Sequence, residues 1–412
     1  MPLPDATLGP DSRVALLVPG SQAYLDAVLG LLARGIAPIP LDPRLTPHER
    51  ERILAPLAPD LVLTEVADLA QIRGSGPPGL PLRRPLHCTS GTTGVPKGVD
   101  SGLLARVDAE ALVAEERDLW EFCESDVNLV LSPLYHSAPL RFAIGTRLAG
   151  GRVVIPGAFD PALVTAAIVA ERPTTMFCVP THLQRLFAHW DQVGVPDLSC
   201  FRLVAHAGAP CPTDIKRRLI DLFPAGSTWE FYGSTEGQFT ACRSEEWVER
   251  PGTVGRARPG RVLRLDPDGT IWCEVPPHAR FDYVGAPEKT ADAWRGDAFT
   301  VGDLGRLDPD GYLYLNGRRT DLIISGGVNV YPLEVEQVLG EHPGVDDIAV
   351  YGADDQTWGQ RVCAAVVGSA SEAELTAYAR ERLAPPKRPK AWVFRDELPR
   401  TLTGKVRRDE LE

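Results

Sequence analysis

Between Cys88 and Gly98 the chain reads C-T-S-G-T-T-G-V-P-K-G. Thr89, Ser90, Thr92 and Thr93 alternate with Gly91, Gly94 and Gly98, and Lys97 stands near the end. Glycines let a backbone turn sharply and aim successive N–H groups at an anion, hydroxyls add donors, and a lysine adds a mobile positive charge. The chemistry implied is a loop closing over a polyphosphate. It is not a Walker A loop, because the spacing G-x-x-x-x-G-K-[ST] does not occur. A Ser/Thr/Gly surface loop has a similar composition, but the density of donors beside Pro96–Lys97 favours phosphate. The apolar approach at Arg84–Leu86 is expected to end a strand.

T-S-G-T-T-G-x-P-K-G resembles the phosphate-loop signature of the adenylate-forming superfamily: acyl- and aryl-CoA synthetases, adenylation domains of peptide synthetases, and luciferases. Four further motifs follow in that superfamily's order. They are Tyr232-Gly233-Ser234-Thr235-Glu236, Val301-Gly302-Asp303, Gly317-Arg318 with Asp321 after it, and Thr403-Gly404-Lys405. The resemblance spans residues 86 to 405 and is nearest in style to the acyl- and aryl-CoA synthetases. It implies ATP-dependent activation of a carboxylic acid as an adenylate, with Mg2+, followed by transfer to a thiol, that of CoA. One departure is large: the phosphate loop begins near residue 88, earlier than in full-length relatives. Part of the N-terminal structure is therefore expected to be missing.

Joining a weak carboxylate nucleophile to the α-phosphorus of ATP requires positive charge and donors around the transferring group. By resemblance, Lys405 bridges the carboxylate and α-phosphate oxygens, and Glu236 holds Mg2+, a hard cation that needs carboxylate oxygen. Thr235 contacts the α-phosphate, Tyr232 stacks on adenine, and Gly233 and Ser234 complete the turn. The backbone of Gly208-Ala209-Pro210 lies along the base. Asp303 accepts from both ribose hydroxyls and Arg318 donates to the same sugar. The usual T-G-D is V-G-D here, which removes a supporting threonine. Tyr135 and His136, in Pro133-Leu-Tyr-His136, border the acyl pocket. His206 is either a substrate contact or a buried, satisfied histidine. Amino-acid-activating relatives carry an aspartate near Tyr135–His136; none stands in this segment, which disfavours an α-amino acid. Gly326–Gly327 would let a pantetheine thiol approach the backbone, or would serve a turn before the helix at Pro332. The resemblance also implies a hinge beside Gly317-Arg318, at Arg319–Thr320, which alternately brings Lys405 and Gly326–Gly327 to the site.

Three other readings compete. A stand-alone ligase would load the phosphopantetheine arm of a carrier protein. Some relatives activate nitrite for diazotisation. A non-enzymatic nucleotide-binding remnant is opposed by Lys97, Glu236, Asp303, Arg318 and Lys405, of which decay should have removed at least one.

These groups need a scaffold, and the periodicities supply one. Arg13–Val18, Asp60–Thr64, Val127–Leu131, Arg152–Ile155, Thr174–Val179 and Phe201–His206 read as buried strands separated by helical patterns. Ser21–Arg34 is a helix with Ser21 as N-cap and Gly35 beyond its end; Thr46-Pro47-His48-Glu49 is a capping box. Strands alternating with helices imply an α/β fold with parallel, helix-flanked sheets. Asp266-Pro-Asp-Gly269 and Asp308-Pro-Asp-Gly311 are hairpin turns, so residues 250–316 read as antiparallel. Beyond lies a small α+β tail: helix Pro332–Leu339, strands Asp347–Val350 and Arg361–Val367, and helix Glu372–Leu383. The expected domains are 1–317, binding ATP and acid, and 318–412, carrying Lys405. The 412 residues provide ample core for both.

The net charge of −12 offers no basic field for nucleic acid. No apolar run reaches the length of a membrane span and the N-terminus has no signal-peptide pattern, so a cytoplasmic enzyme without membrane partners is expected. The eight cysteines stand singly, without C-x-x-C spacing, and read as reduced thiols. The candidate pocket segments, Tyr135–His136, Cys178–Thr181, Val204–Gly208 and Trp229–Tyr232, carry medium to large side chains, pointing to an aromatic or short acid.

Overall fold

A computed structural model describes residues 8–72, 78–89, 97–318, 321–325, 328–355, 359–383, 385–401 and 404–411. By packing the chain divides into two compact units. One comprises Met1–Pro251, Ala257–Val262 and Glu274–Phe299; the other comprises Gly252–Arg256, Leu263–Cys273 and Thr300–Glu412. Residues 300–317 thus pack with the second unit, a grouping that differs from the 317/318 division read from the sequence.

In the first unit the apolar runs become strands where the sequence marks them. Arg13–Leu16 lies between Ala37–Pro40 and Leu61–Leu63, all parallel. Helix Gln22–Ala33 is capped by Ser21, whose hydroxyl accepts from the Tyr24 N–H at 3.1 Å. The capping box closes helix Pro47–Leu57 reciprocally: the Thr46 N–H donates to Glu49 Oε2 at 2.8 Å and the Glu49 N–H donates to Thr46 Oγ1 at 3.3 Å.

A larger sheet carries the strands Gln238–Arg243, Thr228–Gly233, Leu203–His206, Thr175–Cys178, Val127–Val130 and Arg152–Val154, side by side in that order. The last five are mutually parallel, and only Gln238–Arg243 runs against its neighbour. Each parallel crossover needs a long connection, supplied by helices such as Ser137–Leu148 and Pro180–Val193. Leu129, Met176 and Val204 pack with Leu186, Phe187 and Trp190, while Phe177 and Phe231 pack with Trp120 and Phe142. Alternate strand residues therefore bury opposite faces, which is why these strands read as unbroken apolar runs.

The segment before the phosphate loop differs from expectation. Arg84–Leu86 is not a strand; the strand is His87–Thr89, which pairs antiparallel with Lys97–Asp100 in the register His87↔Val99, Cys88↔Gly98, Thr89↔Lys97. Asp282–Tyr283 adds on the far edge. Gly98 serves packing here: a Cβ would stand 2.5 Å from Leu57 Cδ2 and 2.8 Å from Leu86 Cδ2.

In the second unit both Asp-Pro-Asp-Gly turns form. The Gly269 N–H donates to the Asp266 carbonyl at 2.8 Å and the Gly311 N–H donates to the Asp308 carbonyl at 3.0 Å. Strands Asp303–Leu307 and Leu313–Arg318 flank the second turn as an antiparallel pair. The tail is the expected α+β body: Val345–Asp355 and Gly359–Gly368 form its long hairpin, covered by Pro332–Gly340 and Glu372–Arg382 through Val335, Leu339, Leu375 and Ala379. Among the described residues no helix is long and apolar enough to cross a membrane. All eight cysteines are free.

Candidate active site

Three of the sequence motifs follow the carboxyl ends of parallel strands in one sheet. His136 comes after Val127–Val130, Gly208-Ala209-Pro210 after Leu203–His206, and Ser234-Thr235-Glu236 after Thr228–Gly233. In open α/β sheets that edge is where ligands bind, because the loops there converge while the strands hold them rigid. Gly208 takes φ +95°, a conformation side chains resist, with its neighbours set at the end of a fully buried strand.

Glu236 is 7% exposed. The Glu236 N–H donates to Ser234 Oγ at 3.2 Å, and the Ser234 N–H donates to the Gly237 carbonyl at 2.8 Å, so the motif folds as a tight turn. Tyr283 Oη donates to Glu236 Oε1 at 2.9 Å, and the Lys97 ammonium lies 4.9 Å from the centre of the Tyr283 ring. Three residues from distant segments are thereby assembled into one carboxylate–phenol–ammonium cluster. Burial, and then the ammonium of Lys289, draw Lys97 below the ordinary lysine range, while Glu236 pulls the other way. Arg84 fixes the same turn from behind: Nη1 donates to the Glu236 carbonyl at 3.4 Å and Nη2 to that of Arg280 at 2.8 Å.

One hydrogen bond leaves a carboxylate most of its acceptor sites, so Glu236 retains room for a hard cation. No cluster of three or more metal-ligating side chains occurs among the described residues. A single carboxylate suits Mg2+, which keeps waters and binds mainly through substrate phosphates. Tyr232 is 9% exposed, its ring 4.7 Å from that of Phe239. A Cβ on Gly233 would stand 2.5 Å from Gln238 Oε1, so that side chain would have to shift to admit one.

At the expected acyl border the ring centres of Tyr135 and His136 are 4.5 Å apart. Burial holds His136 down at about 4, so it is neutral at pH 7. An acid does stand nearby, which the local sequence hides: Tyr135 Oη donates to Asp42 Oδ2 at 3.0 Å. Arg44 neutralises that carboxylate at 2.8 Å, and Asp42 lies ninety-odd positions from Tyr135 in the chain. His206, which the sequence leaves as either a substrate contact or a buried histidine, is an interior group. It is fully buried, and its Nε2 lies 2.6 Å from Lys216 Nζ, which also reaches Glu230 at 3.1 Å. Burial and the Lys216 charge push it well below the usual histidine range.

In the second unit Asp303 stands directly opposite Arg318 across the hairpin, so the two expected ribose ligands share one rung of a ladder. Asp303 is 8% exposed. The lost threonine of T-G-D is partly replaced: Thr300 Oγ1 accepts from the Gly302 N–H at 3.1 Å. Lys405 is exposed on a turn closed by its own backbone. The Thr401 N–H donates to the Lys405 carbonyl at 2.7 Å, the Lys405 N–H donates to Thr401 Oγ1 at 3.1 Å, and Gly404 takes φ +81°. Nearby basic side chains form ion pairs: Arg400 with Asp347, Arg407 with Glu410, Lys387 with Glu334, and Arg408 with Glu336 and Asp321.

Ser90, Gly91, Thr92, Thr93, Gly94, Arg319, Thr320, Gly326, Gly327 and Thr403 lie outside the described residues, as do the side chains of Thr89 and Arg318. Sequence reasoning missed Tyr283, Arg84, Lys289 and the Asp42–Arg44 pair. Only Arg84 borders a motif; nothing local marks the others.

Known proteins resemble the chain along nearly its whole length. The model of the AMP-binding enzyme family matches residues 86–276 and that of the AMP-binding enzyme C-terminal domain matches residues 334–405. A feruloyl-CoA synthase of Amycolatopsis is 35% identical over 98% of this chain and 89% of its own. The solved o-succinylbenzoate CoA synthetase of Bacillus subtilis, holding its acyl-adenylate, superposes with a TM-score of 0.85 at 27% identity, covering 98% and 89% of the two chains. A structure of that synthetase with ATP and magnesium gives 0.83 at 26% identity, covering 98% and 90%.

Proposed function

The chain belongs to the AMP-binding enzyme family as an adenylate-forming acid–CoA ligase, and from that premise we propose how its side chains share the reaction. The observation that carries the assignment is the cluster of Lys97, Tyr283 and Glu236 at the carboxyl edge of the parallel strands. Glu236 would hold Mg2+, which supplies charge neutralisation on the phosphates when bound. Tyr283 orients the carboxylate for that cation through its hydrogen bond. Lys97 and the donors of residues 89–94 hold the β- and γ-phosphates, and Thr235 the α-phosphate. Asp303 and Arg318 take the ribose; Tyr232 and the Gly208–Pro210 backbone flank adenine. Lys405 stabilises charge as the acid's oxygen attacks the α-phosphorus and pyrophosphate departs.

Transfer follows when the CoA thiol, approaching along Gly326–Gly327, attacks the acyl carbon and AMP leaves. A pivot at Arg319–Thr320 separates the two halves in this reading. The acid is compact and is not an α-amino acid, because Asp42, the acid beside Tyr135, is already neutralised by Arg44. A cytoplasmic setting fits eight free thiols and co-substrates that are ATP and CoA.

The test is pyrophosphate release and thioester formation with purified protein, ATP, Mg2+ and a panel of acids. Acid-dependent pyrophosphate release, with product appearing only when CoA is present, is expected. Pyrophosphate release with no thioester, restored by a carrier protein, would replace CoA as the acceptor; no response to any acid would overturn the reading.

A further inference from the structure

A cavity of about 190 Å3 opens beside the turn that carries Glu236: Thr235, Gly237 and Gln238 line it, together with Ser137, which follows His136. An acid whose carboxyl is attacked at that turn has this space for the rest of its body. Leu112, Val113, Ile144, Leu148 and Val275 make much of the wall apolar. Pockets for drug-sized ligands run to about 300–1,000 Å3, so the guest is small.

The same wall is oddly cationic. Arg84, Arg141 and Arg261 line the cavity, and the fully buried Arg258 joins their ion pairs. Their acids are two. Arg258 Nη2 lies 2.6 Å from Glu116 and 3.2 Å from Glu115, Arg261 Nη1 lies 2.7 Å from Glu115, and Arg141 Nε lies 3.3 Å from Glu116. His278 adds a ring nitrogen 2.8 Å from Glu115. Four guanidiniums against two carboxylates leave two positive charges over. The other arginines of the wall have acids behind them: Arg83 faces Asp100 at 3.2 Å, which Arg13 also reaches at 3.6 Å, and Arg117 faces Asp118 at 2.9 Å. Arg84 Nε, Arg141 Nη2 and Arg261 Nε are buried with no hydrogen-bond partner among the described residues, and the Arg261 side chain is only 4% exposed.

Buried guanidinium N–H groups without acceptors are costly even on paired arginines, and an apolar side chain of similar size would fill such a wall at less cost. Burial first, and then neighbouring arginines, pull Arg84 and Arg141 down to about 10. An anion in the cavity removes both penalties at once, and a guanidinium matches a carboxylate in shape as well as charge.

We propose that the acid activated by this enzyme is a compact dicarboxylic acid, whose second carboxylate is received in this cavity by Arg141 and Arg261. The proposal rests on the acid–CoA ligase reading and fixes its substrate class. Glu115 and Glu116 act as positioning residues, holding the guanidiniums in place while leaving their net charge positive.

The experiment compares ATP–pyrophosphate exchange for short aliphatic and benzene dicarboxylic acids, their monomethyl esters, and monocarboxylic acids of the same size. Wild type is expected to prefer a diacid over its own monoester by at least tenfold in kcat/KM. Arg261→Leu and Arg141→Leu should bring that ratio near one, and Arg261→Lys should retain part of it. Equal or better use of the monoester or monoacid by wild type overturns the proposal and leaves the ligase reading intact. Absence of exchange with every acid would overturn the ligase reading itself. Should the leucine variants not fold, the wild-type ratio alone decides.

Discussion

Glu236 is 7% exposed, held by a phenol at 2.9 Å and backed by the guanidinium of Arg84, whereas Lys405 stands exposed on a turn where its N–H donates to the Thr401 hydroxyl. The first group is buried and held by a phenol; the second is exposed to solvent. Preorganised donors cost no reorganisation at the moment of reaction, which suits a group needed throughout. Lys405, proposed to act in one step only, is carried on an exposed turn. Around it Arg400, Arg407, Arg408 and Lys387 are each tied to an acid.

The largest expected break of this contrast is Lys405→Ala. Loss of one positioned electrostatic group costs about 10²–10³ in rate, so adenylate formation should fall by roughly that factor. Asp303→Ala probes the proposed ribose contact of the second unit. Losing an acceptor of two hydrogen bonds should weaken ATP binding about tenfold or more, with discrimination against 2′-deoxy-ATP shrinking in parallel. An unchanged ATP-to-deoxy-ATP ratio would remove Asp303 from the ribose. Tyr283→Phe is a smaller change, because the carboxylate stays and only its orienting hydrogen bond goes. About tenfold loss in adenylation is expected, with a raised Mg2+ requirement, and unaltered Mg2+ dependence would separate the phenol from the metal site.

Much of this was legible in the sequence, and the limits have a physical pattern. Ser21, Thr46 and the two Asp-Pro-Asp-Gly turns act within four residues of themselves, so their signals are local and the structure forms them. The parallel strands were visible because burial on both faces leaves unbroken apolar runs. The antiparallel pairing of His87–Thr89 with Lys97–Asp100 was not, since strands of three and four residues carry too little periodicity to fix a register. Tyr283 reaches Glu236 across 47 positions, and Glu116 meets Arg258 across 142. No spacing rule covers such distances. The sequence leaves His206 open for the complementary reason: it lies close to Gly208–Pro210, while its ring meets the buried Lys216.

The smallest effect expected is on stability in mild acid. Burial lowers His87 to about 3 and His136 and His182 to about 4, below the ~6.5 of an unfolded histidine. The unfolded chain therefore binds more protons below pH 6.5, so the contribution is complete above that pH and is lost as pH falls towards 4. Urea midpoints should decline between pH 7 and 5, and His182→Phe, whose ring can keep the stacking on Phe159, should flatten the slope. A flat wild-type profile over that range would mean the three rings are not held neutral.

The contrast between a fixed carboxylate and a delivered lysine is tested most directly by giving Lys405→Ala a presynthesised acyl-adenylate and CoA. Thioester formation within about threefold of wild type is expected, beside the loss of two or more orders of magnitude in making the adenylate. An equal loss in both half-reactions would contradict the account, because Lys405 would then serve the whole cycle and not its first step alone.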